Sequence, residues 1–582
     1  MFRLNKTFKR FITVLIFLIL VSGSSYFSIK YHDTKGIRNW RSEIFADAAG
    51  YNIYLPAMFI YNWDGKSFPV DIEKQTGTGF NIDPSTGKIF TKYTCGVAFM
   101  QLPFFLAANL ISNVTLGGTD GYNYLNYRSL DIAGCFYMWL GFFFIFFMLR
   151  KRFSFLLSAA TACFIVFGSN VFFYGFIHPG MSHIYSFAVF AAFLWSFDKI
   201  SEYEKFTFRQ MFIAGSLLGI ATLIRPTNIF IGLVFIFWNT FSWKDIKLRL
   251  KKILTWKPVL ATFFPCVLLL IPQMIYWNYA FDAPLLYSYK GEGFTNWKSP
   301  EIMALWFEPN NGLFPYAPIM VLIFTGIIIT IIKKNKSAFL PLVIFVIMSY
   351  IFASWYMVSY GSSFGCRPFA EFFVFFSLPL ASLIKYPRKK LIKGFIVLIA
   401  VLCMLFTVKM TLIYNDNYFM TKEKWNWKEY KSLIGRGIKI IEEDFEDCKI
   451  IPGEIIETND PDHGKYILSV SKDKEFPTVN LEESYTKGTY SFWRYANVSV
   501  DVKADTNVFF LIVYTTDSCG KQVRWSALDV KYDENKLNQW QTIHLYDAFV
   551  GGEYGEGVKL KFYLWNSNHQ AFYFDNLKVF LH

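Results

Sequence analysis

The sequence predicts an α-helical polytopic membrane protein with about eleven transmembrane helices and a C-terminal all-β domain outside the membrane. Three observations predict this class. Hydrophobic residues make up 53% of the chain and charged residues only 18%, below the roughly 25% usual for soluble domains. Apolar runs of about 18 to 25 residues recur from residue 11 to residue 413, and each is long enough to cross a membrane. Short segments of alternating hydrophobicity follow in the last part of the chain.

The basic charge is confined to the apolar part of the chain. Residues 1–414 have a net charge of +20 and residues 415–582 a net charge of −6. An excess of Lys and Arg in short loops between apolar runs is a signal for membrane insertion. The charge therefore indicates contact with membrane lipids and argues against a nucleic-acid partner.

The positions of the basic clusters predict the topology. Loops with several Lys or Arg should be cytoplasmic, which applies to residues 150–152, 199–209, 244–257, 333–336 and 385–390. These loops alternate with Lys- and Arg-poor loops if the spans lie near 11–28, 128–149, 153–176, 181–198, 211–224, 227–240, 259–277, 314–332, 338–356, 369–384 and 391–412. The N-terminus is then cytoplasmic, and the C-terminal domain lies outside.

Two apolar segments do not fit simple spans. Residues 96–111 are interrupted by Pro103, and counting them as a span would invert the topology of everything that follows. We predict an interfacial or re-entrant helix there. Residues 211–224 and 227–240 are short and are separated by Arg225-Pro226, an arrangement typical of helices that line a polar cavity.

The predicted domains are a transmembrane domain at 1–413, whose first outer loop is 29–127, an amphipathic helical connector at 414–450, and an extracytoplasmic β-sandwich at 451–582. In the segment 558–566, Leu560, Phe562 and Leu564 alternate with lysines, as in a half-buried strand. Further strands are predicted at 465–471, 490–503, 507–517, 523–532, 540–549 and 571–581, which together suggest a sandwich.

The first outer loop contains a candidate general base. Glu43 and Asp47 are four residues apart and would share one face of a helix, with Tyr51 and Tyr54 on roughly the same face. A carboxylate just outside the bilayer and flanked by aromatic rings can accept a proton from a hydroxyl group. A solvated helix face is the plainer interpretation of the same pattern.

Other polar patches fall at predicted outer helix ends. Lys92 and Tyr93 precede the apolar segment broken by Pro103, where a lysine can pair with a lipid phosphate or simply reach the interface. The remaining patches are His178 to His183, Arg225 to Thr227, Tyr287 to Phe294, Asn310 to Pro315 and Tyr360 to Phe369. No cysteine or histidine spacing indicates a metal site.

With these residues in view, the chain resembles the C-type (GT-C) membrane glycosyltransferases, in particular the branch of protein O-mannosyltransferases (glycosyltransferase family 39) and the lipid A aminoarabinose transferase. The resemblance covers residues 1–413. It rests on Ala46-Asp47-Ala48-Ala49-Gly50-Tyr51 with Tyr54-Leu55-Pro56, on Lys92-Tyr93, Ser182-His183, Leu223 to Thr227, Tyr289 to Phe294 and Gly312-Leu313-Phe314, and on Tyr360 to Arg367. Lys92-Tyr93 departs from the Lys-Pro-Pro form of that family.

The resemblance implies an activity. The enzyme would transfer a monosaccharide from a polyprenyl-phosphate carrier to a hydroxyl of an extracytoplasmic glycan, lipid or protein, with inversion. Asp47 would be the base, and Lys92, Arg225 and Arg367 would bind the donor phosphate. Possible substrate contacts are Glu43, Tyr51, Tyr54, Tyr93, His183, Tyr289 and Glu292. No cofactor is implied, and a divalent metal is left open.

Two other functions remain as alternatives. An O-antigen ligase or polymerase also uses lipid-linked sugars, but it usually has its catalytic loop late in the chain. A flippase or transporter without enzymatic activity predicts inverted repeats and ionisable residues near mid-span. The C-terminal segment Tyr573 to Val579 is similar to the last strand of carbohydrate-binding jelly rolls, so that domain either binds an acceptor or caps the site. The composition favours a bacterial inner membrane with a periplasmic C-terminal domain.

Overall fold

The computed structural model describes residues 6–33, 36–38, 41–289, 291–361, 363–414, 426–427, 430–431, 434, 439–443, 455–457, 466–473, 475–476, 480–484, 491–506, 509–518, 521–532, 537–554 and 558–581. The chain forms two compact units, Met1–Leu412 and Ile413–His582. We call the first the membrane unit and the second the C-terminal unit.

The membrane unit is helical. Its helices are α1 (Lys6–Asp33), α2 (Asp47–Asn52), α3 (Tyr54–Phe59), α4 (Ile72–Gln75), α5 (Gly96–Leu116), α6 (Tyr124–Arg150), α7 (Phe155–Phe167), α8 (Val171–Phe176), α9 (Ser182–Ile200), α10 (Phe208–Ile224), α11 (Leu233–Phe237), α12 (Trp243–Ile253), α13 (Trp256–Phe281), α14 (Ile302–Phe307), α15 (Leu313–Tyr316), α16 (Ile319–Ile332), α17 (Phe339–Ala353), α18 (Ser377–Lys385) and α19 (Lys390–Tyr414). Short 3-10 helices cover Gly65–Ser67, Pro226–Gly232 and Arg367–Phe376, and β1 (Asn81–Ile82) pairs with β2 (Ile89–Phe90).

The long apolar helices are those of a membrane protein, as the sequence predicts. Among the described residues, six segments are long and apolar enough to cross a bilayer, namely Arg10–Asp33, Gly96–Leu116, Tyr124–Arg150, Trp256–Phe281, Arg367–Lys385 and Lys390–Tyr414. The other predicted spans fall on α9 and on shorter apolar helices. Several of these are broken within the predicted span. Residues 153–176 form two helices, α7 and α8, and at the break the Asn170 side-chain amide donates hydrogen bonds to the carbonyls of Phe364 and Cys366.

The apolar segment that begins at residue 96 is longer than predicted. It forms one continuous helix, α5, which passes through Pro103 and has the length and composition of a span. Helix α5 packs along α6, and the Tyr137 hydroxyl donates to the Met100 carbonyl while Asn126 donates to Asn109. These contacts place α5 beside the first half of α6, which continues to Arg150.

Helix α9 lies at the centre of the membrane unit. Phe187, Phe190 and Phe193 are fully buried, and the Phe190 ring packs edge-on against Phe372 of the Arg367–Phe376 helix at 5.1 Å. Aromatic pairs of this kind hold two segments in a fixed register. Helix α9 begins at Ser182, and its second residue, His183, also contacts the Arg367–Phe376 helix, at Glu371.

The C-terminal unit consists of two antiparallel sheets. Its strands are β3 (Lys439–Glu443), β4 (Ile455–Glu457), β5 (Tyr466–Val470), β6 (Asn480–Ser484), β7 (Ser491–Lys503), β8 (Phe509–Ser518), β9 (Lys521–Lys531), β10 (Gln541–Tyr554), β11 (Val558–Trp565) and β12 (Phe572–Leu581). One sheet has the order β10-β7-β12-β5-β4 with β3 also paired to β12, and the other has the order β6-β11-β8-β9. The predicted alternation in β11 is confirmed, since Leu560, Phe562 and Leu564 are buried.

The connector prediction is wrong where it meets β3. The interpretation of 414–450 as an amphipathic helix includes Lys439–Glu443, which instead pairs with β12 as an edge strand, Ile441 opposite Val579. An isolated Ile-Ile pair among charged residues fits either a short helix face or a short strand, and the exposed edge of β12 decides between them. Residues 415–425 of this connector lie outside the described residues.

Candidate functional site

One cavity of about 780 Å³ in the membrane unit collects most of the predicted site residues. Its polar wall contains Asp47, Lys92, Arg225 and Arg367, together with five predicted contact residues, Tyr51, Tyr93, His183, Tyr289 and Glu292. These side chains come from six separate stretches of the sequence. The cavity therefore joins the polar patches that the sequence placed at different helix ends, except Asn310 to Pro315, which contributes no lining residue.

Asp47 is presented to the cavity by a strained turn. It is the first residue of α2, and Ala46 before it has φ +48° and ψ −119°, a backbone conformation that residues with a side chain rarely adopt. The Ala46 amide donates to the Thr76 carbonyl, and a Cβ at Gly79 would lie 1.8 Å from the Ala46 carbonyl oxygen. The rest of the first loop therefore holds this turn in place and fixes where Asp47 points.

Both oxygens of Asp47 have partners. The Tyr93 hydroxyl donates to Oδ1 at 2.5 Å, and Arg367 Nη1 lies 3.1 Å from Oδ2. Burial alone would raise the pKa of Asp47, but the Arg367 charge and the Tyr93 hydrogen bond outweigh it and hold the pKa below its ordinary value. Asp47 is therefore an oriented carboxylate, and its side chain is 29% exposed to the cavity.

The Lys92-Tyr93 loop reaches the cavity because two glycines allow close packing. A Cβ at Gly96 would meet the backbone of Leu223 and Ile224 at 2.3 Å, so α5 begins directly against the end of α10. A Cβ at Gly50 would meet the Tyr93 ring at 2.3 Å. This packing brings Lys92, Tyr93 and the residue after Ile224 to one wall of the cavity.

Lys92 forms an ion pair with Glu292, another residue of the cavity wall. Its Nζ lies 2.6 Å from Glu292 Oε1, and the ammonium group also lies 5.4 Å from the centre of the Tyr289 ring. The two charged side chains are about one-third exposed. An ion pair this accessible contributes little to stability, so the ammonium group can exchange its partner at low cost.

Arg225 belongs to a cluster that the sequence did not predict in full. Pro226 forces Arg225 out of the helical conformation, and its φ of −150° and ψ of 128° end α10 there. Arg225 Nη1 lies 3.0 Å from His183 Nδ1 and 3.4 Å from Glu371 Oε1, and His183 Nδ1 lies 2.9 Å from Glu371 Oε2. Glu371 is 1% exposed, whereas the Arg225 side chain keeps 20% of its surface open. Buried Glu371 thus contacts both Arg225 and His183 and fixes their positions in the cavity wall.

The remaining lining of the cavity is mostly apolar and aromatic. It is formed by Trp277, Leu285, Leu286, Phe294, Phe352, Trp355, Tyr356 and Met357. The Trp355 ring stacks on Tyr360 with an interplanar angle of 8° and meets Phe294 edge-on. A cavity lined by both cations and apolar side chains suits a ligand with an anionic group and a hydrocarbon part.

Two predicted contact residues, Glu43 and Tyr54, do not line this cavity. Glu43 is 2% exposed and hydrogen-bonds to Arg128, while burial and the neighbouring Asp131 raise its pKa to about 7. Tyr54 is buried in the core, where its hydroxyl donates to the Tyr93 carbonyl. Helix α2 begins only at Asp47, so Glu43 and Asp47 do not share a helix face, and Tyr54 belongs to the next helix, α3.

Glu371 is the main residue that sequence reasoning missed. It lies inside the predicted span 369–384, and an ionisable residue within a span usually marks a site or a buried partner. That signal was available for Glu371, but it did not identify the partner, since His183 is 188 positions earlier in the chain.

Comparison with known proteins adds no assignment. No protein-family model matches the chain, and no curated protein matches its sequence. The chemistry of the site follows from its geometry. It offers two accessible carboxylates, Asp47 and Glu292, three cations that each have an acidic partner, and apolar and aromatic lining residues.

Proposed function

We propose that the chain is a membrane glycosyltransferase that moves a monosaccharide from a polyprenyl-phosphate carrier to a hydroxyl group of an extracytoplasmic glycan, lipid or protein. One observation carries the proposal. A single cavity combines the oriented carboxylate of Asp47, the cations Lys92, Arg225 and Arg367, and an apolar aromatic wall. A polyprenyl-phosphate sugar requires a proton acceptor for the attacking hydroxyl, positive charge for its phosphate and an apolar surface for its chain.

The reaction follows from these groups. Asp47 accepts the proton of the acceptor hydroxyl as the oxygen attacks the anomeric carbon of the donor. The bond between that carbon and the phosphate oxygen breaks, and the phosphate leaves with the electron pair as polyprenyl phosphate. Attack opposite the leaving group inverts the anomeric configuration. General base catalysis of this kind contributes about 10²–10⁴-fold to a rate.

The cations act on the leaving group. Negative charge grows on the phosphate as the bond breaks, and fixed cations stabilise this charge more than they stabilise the bound donor. Arg225 is positioned by Glu371, and the guanidinium of an arginine can form two parallel hydrogen bonds to a phosphate. Arg367 lines the cavity beside Asp47, and its contact with Asp47 is replaceable because both side chains are partly exposed.

The proposal includes the eleven-span topology with a cytoplasmic N-terminus, an extracytoplasmic C-terminal unit and an outer-facing cavity, in a bacterial inner membrane. The packing of α5 supports it. Met100 lies beside Tyr137 and Asn109 beside Asn126, so both contacts lie in the half of α6 that begins at Tyr124, on the predicted outer side. An α5 that stays on the outer side leaves the alternation of basic loops intact.

The test is donor consumption by membranes that contain the full-length chain. Radiolabelled polyprenyl-phosphate mannose, glucose and aminoarabinose are supplied separately, and the release of polyprenyl phosphate is measured. One of the three should be consumed, and Asp47→Asn should slow the release by about 10²–10⁴-fold because the proton acceptor is lost.

Asp71→Asn is the matched control. Asp71 is an exposed carboxylate of the same loop, and its φ of +57° is one that asparagine tolerates well. The control should retain full activity. Equal rates for Asp47→Asn and wild type would refute the assigned base. Consumption of a diphosphate-linked oligosaccharide instead would indicate a ligase, and movement of donor across the membrane without bond cleavage would indicate a flippase.

A further inference from the structure

A second cluster of ionisable groups lies in the membrane unit, outside the cavity. His32 near the end of α1, Glu43 in the first loop and Asp131 near the beginning of α6 are all fully buried or nearly so. His32 Nδ1 lies 2.7 Å from Asp131 Oδ1, and one ligand atom from each of the three residues falls within 4.8 Å of the other two. Ionisable groups at such depth are costly unless they are compensated.

The compensation in this cluster is incomplete. Arg128 pairs with Glu43 Oε1 and is shared with Asp33, and the Ser28 hydroxyl donates to Asp131 Oδ1 at 2.6 Å. Glu43 Oε2 and Asp131 Oδ2 are buried, and neither has a hydrogen-bond partner among the described residues. A buried carboxylate oxygen without a donor carries a desolvation cost that a cation between the two carboxylates would remove.

The imidazole is arranged as metal-binding imidazoles usually are. His32 Nε2 lies 3.1 Å from the carbonyl oxygen of Ile177, which fixes the ring and accepts the proton of that nitrogen. The other nitrogen, Nδ1, lies 2.7 Å from Asp131 Oδ1 and 3.0 Å from the carbonyl oxygen of Ser28, so a bound metal would replace the proton that Nδ1 shares with these acceptors. A hydrogen bond from one ring nitrogen to a backbone carbonyl sets the tautomer in which the second nitrogen can coordinate a metal.

We propose that His32, Glu43 and Asp131 bind a divalent transition-metal cation of the zinc or manganese class. One imidazole and two carboxylates form a mixed donor set that suits these ions better than magnesium or calcium, which prefer oxygen ligands alone. The ligand atoms lie within 4.8 Å of one another, so only small movements would bring each to a coordination distance of about 2.0–2.2 Å from a central ion. The cation would join α1, the first loop and α6. Its ligand in the first loop, Glu43, is four residues before Asp47 and lies outside the cavity. The role proposed for the cation is therefore structural and independent of the proposed reaction.

The first test is the metal content of the full-length protein, purified in detergent with a histidine-free affinity tag. Mass spectrometry of the metals should find zinc or manganese in stoichiometric amount. A chelator should lower the unfolding temperature, and Zn²⁺ or Mn²⁺ should restore it, whereas Mg²⁺ at the same concentration should not. This measurement needs no variant and therefore does not depend on whether a substituted core folds.

The second test uses conservative variants with a matched control. Glu43→Gln and Asp131→Asn should each lose the metal and the response of the unfolding temperature to it. Asp198→Asn should retain both, because Asp198 is an equally buried carboxylate that pairs with Lys151 and Arg152 but has no place in this cluster. Wild-type protein that contains no zinc or manganese and does not respond to chelator would overturn the proposal and indicate that the two carboxylates share a proton instead.

Discussion

Two carboxylates of the first loop, Glu43 and Asp47, are only four residues apart and have opposite surroundings. Asp47 pairs with Arg367 at the wall of an open cavity, and its side chain is 29% exposed. Glu43 pairs with Arg128, and neither side chain is more than 5% exposed. We call the first the open pair and the second the closed pair. Both pairs join one carboxylate to one arginine, so the residue types alone do not distinguish them.

The difference shows how burial assigns a role to a charge. In the open pair, water and a ligand can replace either partner, and such a pair contributes little to stability. In the closed pair, either charge left alone would remain in a medium that solvates it poorly. Substitutions in the closed pair should therefore affect folding, and substitutions in the open pair should affect activity.

The largest effect is expected at the closed pair. Arg128→Gln removes the guanidinium that hydrogen-bonds to buried Glu43 and should lower the free energy of unfolding by about 3–5 kcal/mol. The measurement is thermal or denaturant unfolding in detergent. Activity per folded molecule should stay near that of the wild type. A stable variant with a large loss of turnover would remove the distinction between the two pairs.

The open pair should respond in the opposite way. Arg367→Gln should reduce turnover by about 10²–10³-fold, because a cation beside the leaving phosphate is lost. The free energy of unfolding should change by less than about 1 kcal/mol, since both partners are partly exposed. Donor consumption and unfolding are measured on the same preparation. A loss of folded protein that equals the loss of turnover would contradict a role at the site.

The comparison also shows what the sequence could and could not predict. The period-2 pattern predicted β5, β7, β8, β9, β10, β11 and β12 at nearly their observed positions, because alternating burial is a local property. The apolar runs predicted a helical membrane protein for the same reason. The Arg225-Pro226 break was predictable because proline restricts the residue before it.

Burial of single charges was not predictable in this way. Glu43 and Asp47 differ because helix α2 begins at Asp47 and because Arg128, 85 positions later than Glu43, approaches one of them. Glu371 is near the site only because α9 packs on the Arg367–Phe376 helix. Tertiary packing determines which group pairs with a buried charge. The local sequence pattern indicates only that an ionisable residue inside an apolar run needs a polar or charged partner.

A smaller effect is expected from a glycine beneath the open pair. An alanine at Gly50 would place its Cβ 2.3 Å from the Tyr93 ring and should displace the hydroxyl that hydrogen-bonds to Asp47. Misplacing a reacting group by about 1 Å costs on the order of 10–100-fold in turnover. Gly118→Ala is the control, since nothing lies within 4 Å of a Cβ there.

Tyr93→Phe tests whether the glycine acts through the tyrosine. If it does, Gly50→Ala should reduce turnover much less in the Tyr93→Phe background than in the wild type, because two changes on one pathway do not add. Fully additive losses would show that the added methyl group acts elsewhere, for example through the Gly79 carbonyl, which is equally close.

The smallest effect is a shift in the pH dependence of the open pair. The Arg367 charge is the largest influence that lowers the pKa of Asp47, and the Tyr93 hydrogen bond is the next. Without Arg367, burial dominates and the pKa rises, so the carboxylate becomes protonated at a higher pH as the solution is acidified. The acid limb of kcat/KM should therefore move to higher pH in Arg367→Gln, and by less in Tyr93→Phe. The lowered pKa of Asp47 also stabilises the folded chain. This stabilisation is present above the pKa of Asp47 in the unfolded chain and is lost as the pH falls through the folded value. It should be smaller in Tyr93→Phe than in the wild type and smallest in Arg367→Gln. Acid limbs that coincide in all three proteins would mean that Asp47 is not the group whose ionisation limits the rate.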